Sequence, residues 1–191
     1  MLLLPKGTPK GKSKIKLRWK AIDGAAQYDV YATRCGMTSA GEVRRVKHVL
    51  STSKRTCKLT RLANGSKLRL GKMYKIRVKA LDETGRVLAT SYLIHVATNG
   101  GKIGNFTAVE IRKPSSKVTL SVGDSMQIKA EAKADGNHVR KHVGLRYRSS
   151  NKSVATVSKK DGLIEARSAG TCKVYAIAQN GIRKSIRITV R

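Results

Sequence analysis

Apolar and basic residues alternate with a period of two along much of this 191-residue chain. Ile15, Leu17 and Trp19 alternate with Lys14, Lys16, Arg18 and Lys20. Tyr74, Ile76, Val78 and Ala80 alternate with Lys75, Arg77 and Lys79, and Ile186, Ile188 and Val190 with Ser185, Arg187 and Thr189. Successive side chains on a strand point to opposite faces, so each run predicts a strand with one face buried and one wet. No segment carries a sustained i, i+3, i+4, i+7 apolar stripe, which argues against long helices. Asp23-Gly24, Asn64-Gly65, Asp135-Gly136, Asp161-Gly162 and Asn180-Gly181 punctuate the strands at short intervals, the pattern of antiparallel sandwiches. The fold class is all-β.

Thr98-Asn99-Gly100-Gly101-Lys102-Ile103-Gly104-Asn105 is the glycine-richest stretch and lies near the middle. The expected organisation is therefore a domain over 1–98, a linker over 99–106 and a second domain over 107–191. Each half is near the size of one immunoglobulin-like sandwich, and the halves show no self-similarity. Ile103 and Phe106 packing in the joint and a free glycine hinge both stay open at this point. Residues 1–98 hold 22 basic and 5 acidic side chains, a net +17, and residues 99–191 hold 19 and 6, a net +13. The charge belongs to the strands of both halves, not to a tail.

An overall net charge of +30 points to anionic partners such as nucleic acid, wall polymer or acidic glycan. No apolar run approaches the roughly 18 residues a membrane span needs. Met1-Leu2-Leu3-Leu4 is cut short by Pro5 and Lys6, well below the apolar region of a signal peptide. With no signal, sorting tail or anchor in view, the expectation is a piece of a longer polypeptide.

Val118-Thr-Leu-Ser-Val-Gly-Asp124, Ser149-Ser-Asn-Lys-Ser-Val-Ala-Thr-Val-Ser158, Gly162-Leu-Ile-Glu-Ala166, Ala169-Gly-Thr171 and Ile186-Arg-Ile-Thr-Val190 follow one another in the second half. In this order they resemble the group 2 bacterial immunoglobulin-like domain of adhesins and other surface proteins. Tyr147 stands where that family usually has Trp. Independently, Ser149, Ser150 and Asn151 are turn formers whose side chains bond nearby backbone. In the first half, Ile15-Lys-Leu-Arg-Trp19, Tyr28-Asp-Val-Tyr31 and Leu68-Arg-Leu-Gly-Lys-Met-Tyr74 look like a fibronectin type III sandwich. That resemblance implies a core tryptophan at Trp19 and a corner in which the Tyr74 hydroxyl bonds upstream backbone. Leu70 departs from it, where many members have Pro. Together the two resemblances imply tandem immunoglobulin-like sandwiches, as in secreted or surface proteins of Gram-positive gut bacteria.

The chemistry-bearing residues are sparse. Cys35, Cys57 and Cys172 form no CxxC pair, so a zinc ribbon or thioredoxin-like site has no support. Strand parity places Cys172 with Val174 and Ala176 and Cys57 with Leu59, both inward, and leaves Cys35 as the exposed thiol. A Cys35–Cys57 bridge stays open. His138 and His142 stand four apart, which on a helix would put two metal ligands on one face; with Val139 between them and no third ligand, loop histidines are the expectation. His48 and His95 read as sheet-surface residues. Asp23, Asp124, Asp135 and Asp161 sit in turn dipeptides, where Asp is a structural choice. No nucleophile motif of the GxSxG kind occurs.

The expectation is thus a non-enzyme without cofactor or metal: a bacterial secreted or cell-surface spacer and adhesion or wall-association module. Its partner would be an anionic cell-wall or host polymer or glycan, held by Lys14, Lys16, Arg18, Lys20, Lys75, Arg77 and Lys79. Trp19, Tyr28, Tyr74 and Tyr147 are the expected core aromatics. Two alternatives stand beside it. A carbohydrate-binding accessory module of a glycan-degrading enzyme would need a calcium site or an exposed aromatic strip, for which Tyr31, Tyr92, Tyr175 and Phe106 are left. A nucleic-acid-binding protein would want more stacking rings than these, so no specific nucleic acid is expected.

Overall fold

The structure is a computed structural model and describes residues 2–114, 117–137, 139 and 144–191. It divides into two compact units. The first runs to Asn105 and takes in Gly136, Asn137 and Val139; the second comprises the remainder from Phe106. Among the described residues every regular element is a strand.

The first unit contains β1 (Lys6–Lys10), β2 (Lys14–Arg18), β3 (Gln27–Arg34), β4 (Lys47–Thr52), β5 (Thr56–Leu59), β6 (Met73–Leu81), β7 (Val87–Thr90) and β8 (Ile94–Ala97). They form a three-stranded sheet, β1-β2-β5, and a five-stranded one, β4-β3-β6-β7 with β8 also on β6. Alternation sorts the faces. Ile15, Leu17 and Leu59 from the small sheet meet Tyr28, Val30, Ile76, Val78 and Val96 from the large one in a single core. Trp19 and Leu68 belong to the same core.

Two backbone details fix the corners. The Arg69 N–H donates to the Tyr74 hydroxyl at 2.7 Å, the bond that the Leu68–Tyr74 resemblance implies. A β-carbon on Gly101 would lie 2.4 Å from the Gly71 Cα, so two backbones touch where no side chain fits. Asn105 completes this end, since its Oδ1 accepts from the Ala97 N–H at 2.9 Å and its Nδ2 donates to the Ala97 carbonyl at 3.0 Å. The stretch read as linker from composition is thus shared between the units: 99–105 pack into the first, and Phe106 opens the first strand of the second.

The second unit contains β9 (Phe106–Lys113), β10 (Val118–Leu120), β11 (Ser125–Gln127), β12 (Lys129–Ala134), β13 (Arg146–Ser149), β14 (Ala155–Val157), β15 (Leu163–Ala166), β16 (Gly170–Ile177) and β17 (Arg183–Val190). A four-stranded sheet, β10-β17-β16-β13, stands beside β11-β15-β14 and the pair β12-β9. β10 runs parallel to β17, while the other pairings are antiparallel. The Ser-Ser-Asn turn works through its side chains: Ser149 Oγ donates to the Asn151 carbonyl at 2.9 Å, and Ser150 Oγ accepts from the Lys173 N–H at 2.8 Å.

Candidate functional site

Register brings together what the sequence keeps apart. On β1-β2-β5 the direct cross-strand pairs of the outer face are Lys6↔Arg18, Lys10↔Lys14 and Lys16↔Lys58. Thr8 lies opposite Lys16 and Thr56 opposite Arg18. Six cations and two threonines therefore make one sheet face that holds no carboxylate. Alternate residues along a strand are about 6.6 Å apart and neighbouring strands about 4.8 Å apart, so the charges form a flat lattice. Like charges directly opposite one another destabilise a sheet by roughly 0.2–1 kcal/mol per pair. The fold tolerates three such pairs side by side.

Of the expected polyanion residues, Lys14, Lys16 and Arg18 lie on this face, and Lys20 is exposed just past the end of β2. Lys75, Arg77 and Lys79 lie on the other sheet, on the central strand β6, and all three are only partly exposed. Lys75 Nζ donates to the Arg44 carbonyl at 2.7 Å, and Lys79 Nζ sits 4.9 Å from the Tyr31 ring centroid. This second row is braced into its own sheet rather than held out to solvent.

Elsewhere the charges are interleaved. On β9 and β12 Arg112 pairs with Glu131 and, at 3.5 Å, with Glu110, while Lys133 reaches Glu110 at 2.6 Å. The Lys133 hydrogen bond holds the Glu110 carboxyl below its ordinary range. This ladder also shows that sheets of this chain can carry ion pairs; the outer face of β1-β2-β5 has none among the described residues.

The other candidates fall into place on geometry. His95, read as a surface residue, is buried, because β8 is covered along its whole length and alternation does not sort its faces. His48 is exposed and lies 3.1 Å from Ser51 Oγ, with its ring edge-on to Tyr31. The Tyr31 ring is thus occupied by His48 and Lys79. Phe106 is buried and Tyr92 and Tyr175 are half-buried. His138 and His142 lie outside the described residues.

Trp19, Tyr28, Tyr74 and Tyr147 are each at most 6% exposed. Cys172 is buried, and Cys35 and Cys57 are both half-buried thiols with no disulfide between them. Cys57 packs on the core from the edge strand β5 without full burial, and Cys35 is less open than its place at a strand end predicts. Burial pushes the Cys57 thiol up to about 11. At pH 8 only about one Cys57 in a thousand is then a thiolate. Iodoacetamide at that pH should leave Cys57 unmodified in the native protein and modify it on unfolding, as read by peptide mass spectrometry; rapid native labelling would contradict the burial.

Comparison with known proteins bears on the second unit first. Residues 105–190 match the family model of the bacterial Ig-like domain, group 2. That segment is a group 2 bacterial Ig-like domain. The first unit, with its three- and five-stranded sheets and tyrosine corner, is a fibronectin type III-like sandwich placed before it. Among solved structures, domains 4 and 5 of the S-layer protein SbsC are 12% identical, cover 66% of this chain and 69% of their own, and give a TM-score of 0.38. A human fourth FNIII domain is 18% identical over 52% of this chain and 79% of its own, at TM-score 0.39. A C-terminal fragment of intimin, solved with its receptor's intimin-binding domain, is 13% identical over 99% of this chain and 63% of its own, at TM-score 0.32. A search of curated proteins finds no match.

Proposed function

We propose that this FN3-like and Ig-like pair is a non-catalytic module of a secreted or cell-surface bacterial protein, a spacer that also associates with anionic wall or host polymers. The supporting observation is the outer face of β1-β2-β5, where three cation–cation pairs lie in register without a carboxylate. A polyanion laid on that lattice relieves the repulsion and releases its own condensed counterions, which drives binding by entropy. Lys6, Lys10, Lys14, Arg18 and Lys58 are exposed and only Lys16 is half-buried, whereas Lys75, Arg77 and Lys79 are all half-buried, so the β2 side is the principal surface and the β6 row an accessory one. The family match supports the surface setting.

Binding of a poly(glycerol phosphate) chain should weaken steeply with salt, log K falling with log[salt] by about 0.7 for each phosphate contacted. Reversing Lys14, Lys16 and Lys58 to Glu should lower affinity by ~1,000-fold or more at low salt, since each lost charge-assisted contact is worth about 1.5 kcal/mol or more. All three side chains point away from the core, so the variant's thermal midpoint should be preserved or raised. Affinity that persists undiminished in about 1 M salt, where the Debye length is ~3 Å, would overturn the reading. So would a triple variant that binds like the parent.

A further inference from the structure

A second basic feature of the first unit has the opposite shape. Two loops, 35–46 and 60–68, flank the C-terminal end of β3 and border an open cleft of about 430 Å³. That is the scale of a small-ligand site and not of an extended polymer. Arg34, Arg44, Arg45, Lys47, Lys67 and Arg69 line it from three separate segments of the chain. None of the six makes an ion pair among the described residues. The floor is apolar, with Ala32, Leu62 and the body of Tyr74.

The walls are preformed. In the first loop the Thr38 N–H donates to the Glu42 carbonyl at 2.8 Å and the Arg44 N–H to the Gly36 carbonyl at 3.2 Å. Arg44 is clamped further, its Nε donating to the Met37 carbonyl at 2.9 Å while its own carbonyl receives Lys75 Nζ. In the second loop the Leu62 N–H donates to the Ser66 carbonyl at 2.9 Å, and Asn64 Oδ1 accepts from both the Ser66 N–H and hydroxyl. Arg69 leaves from the tyrosine corner. A site whose loops are already hydrogen-bonded loses little ordering entropy when a ligand arrives.

We infer that this cleft binds a phosphomonoester: a compact dianion on a small organic body, such as the terminal phosphate of a glycerol- or sugar-phosphate. Four of the six cations are arginines, whose planar forks match phosphate oxygens in pairs. Cations drawn from three separate segments converge on one small cleft, which suits a compact end group better than a phosphodiester inside a long chain. The apolar floor accommodates the carbon body. This inference is independent of the polymer-binding face on β1-β2-β5, which lies on the other sheet.

The full chain, labelled with ¹⁵N, should show one saturable set of amide shifts within 36–47 and 62–69 when glycerol phosphate is added to about 10 mM, a range that detects Kd values near 1 mM. Arg45→Gln with Lys67→Gln, both exposed, should weaken that binding by ~10-fold or more. Lys14→Gln with Lys16→Gln should leave it unchanged, which separates this site from the polymer face. The lining contains neither histidine nor carboxylate. Affinity should therefore follow the second ionisation of the ligand, rising as pH passes about 6.

A poly(glycerol phosphate) carrying a terminal monoester should perturb the same amides, and phosphatase treatment should abolish the effect. Free glycerol phosphate acting without any response to the capped polymer would assign the cleft to a small metabolite instead of a polymer end, with the phosphomonoester chemistry intact. Shifts scattered over every basic surface, no shifts at about 10 mM, or equal response to the phosphatase-treated polymer would overturn the inference.

Discussion

Trp19→Ala should destabilise the first unit by about 3–5 kcal/mol, a large share of the stability of a domain this size. Trp19 is 6% exposed, and its ring lies 5.3 Å from that of Tyr28 at a tilt of 52°. Tyr28 is in turn tied to the backbone, its hydroxyl accepting the Ile22 N–H at 3.0 Å. Removing the indole opens a cavity beside that anchor, and the sheets cannot close on it without dragging β3. Trp19 Nε1 makes no hydrogen bond among the described residues, so the tryptophan acts through packing alone. Trp19→Phe should therefore cost less than half as much, since no polar partner is orphaned. As the only tryptophan, it reports on itself: native emission should be blue-shifted and resistant to iodide, and a solvent-like, readily quenched spectrum would refute its place in the core.

Gly162→Val should cost the second unit about 2–5 kcal/mol, from two sources that can be separated. Gly162 sits at φ +80°, where a β-branched residue is strained. An added β-carbon would also meet three atoms of the Tyr147 ring at 2.9–3.1 Å. The glycine cannot swing away, because its carbonyl accepts the Ile128 N–H at 3.0 Å and its N–H donates to the Ser158 carbonyl. Shortening the ring with Tyr147→Leu in the Gly162→Val background should recover the steric share and leave the backbone share. Chemical denaturation of both variants measures the difference. A Gly162→Val protein as stable as its parent would mean that the Tyr147 ring is not fixed over this turn.

Both predictions rest on residues legible before any coordinates. Period-two alternation places Ile15, Leu17, Trp19, Ile76 and Val78 inward because a strand has only two faces and water decides between them. The tyrosine corner and the Ser149–Asn151 bond are equally local, within a few residues, whereas Ser150 bonds Lys173 on a distant strand. Burial on both faces defeats this logic. His95 alternates with Ile94 and Val96 as a surface residue would, yet β8 is covered throughout.

The polymer face and the cleft were legible only in part. Lys14, Lys16 and Arg18 declare themselves as a row by spacing alone. That Lys6, Lys10 and Lys58 complete it depends on β1 and β5 flanking β2, a pairing that joins Leu17 to Cys57 across 40 positions. Lys75, Arg77 and Lys79 show the reverse case, an equally regular row that the neighbouring loop and rings draw in. The cleft is a matter of which loops meet: Arg34, Arg45 and Lys67 belong to no common pattern in the chain. Alternation is a local property, fixed by the pleat of a single strand. Which strands become neighbours, and which loops face each other, is set by closing long loops around one core, so the chain by itself determined the faces and the tertiary structure alone decided what shares them.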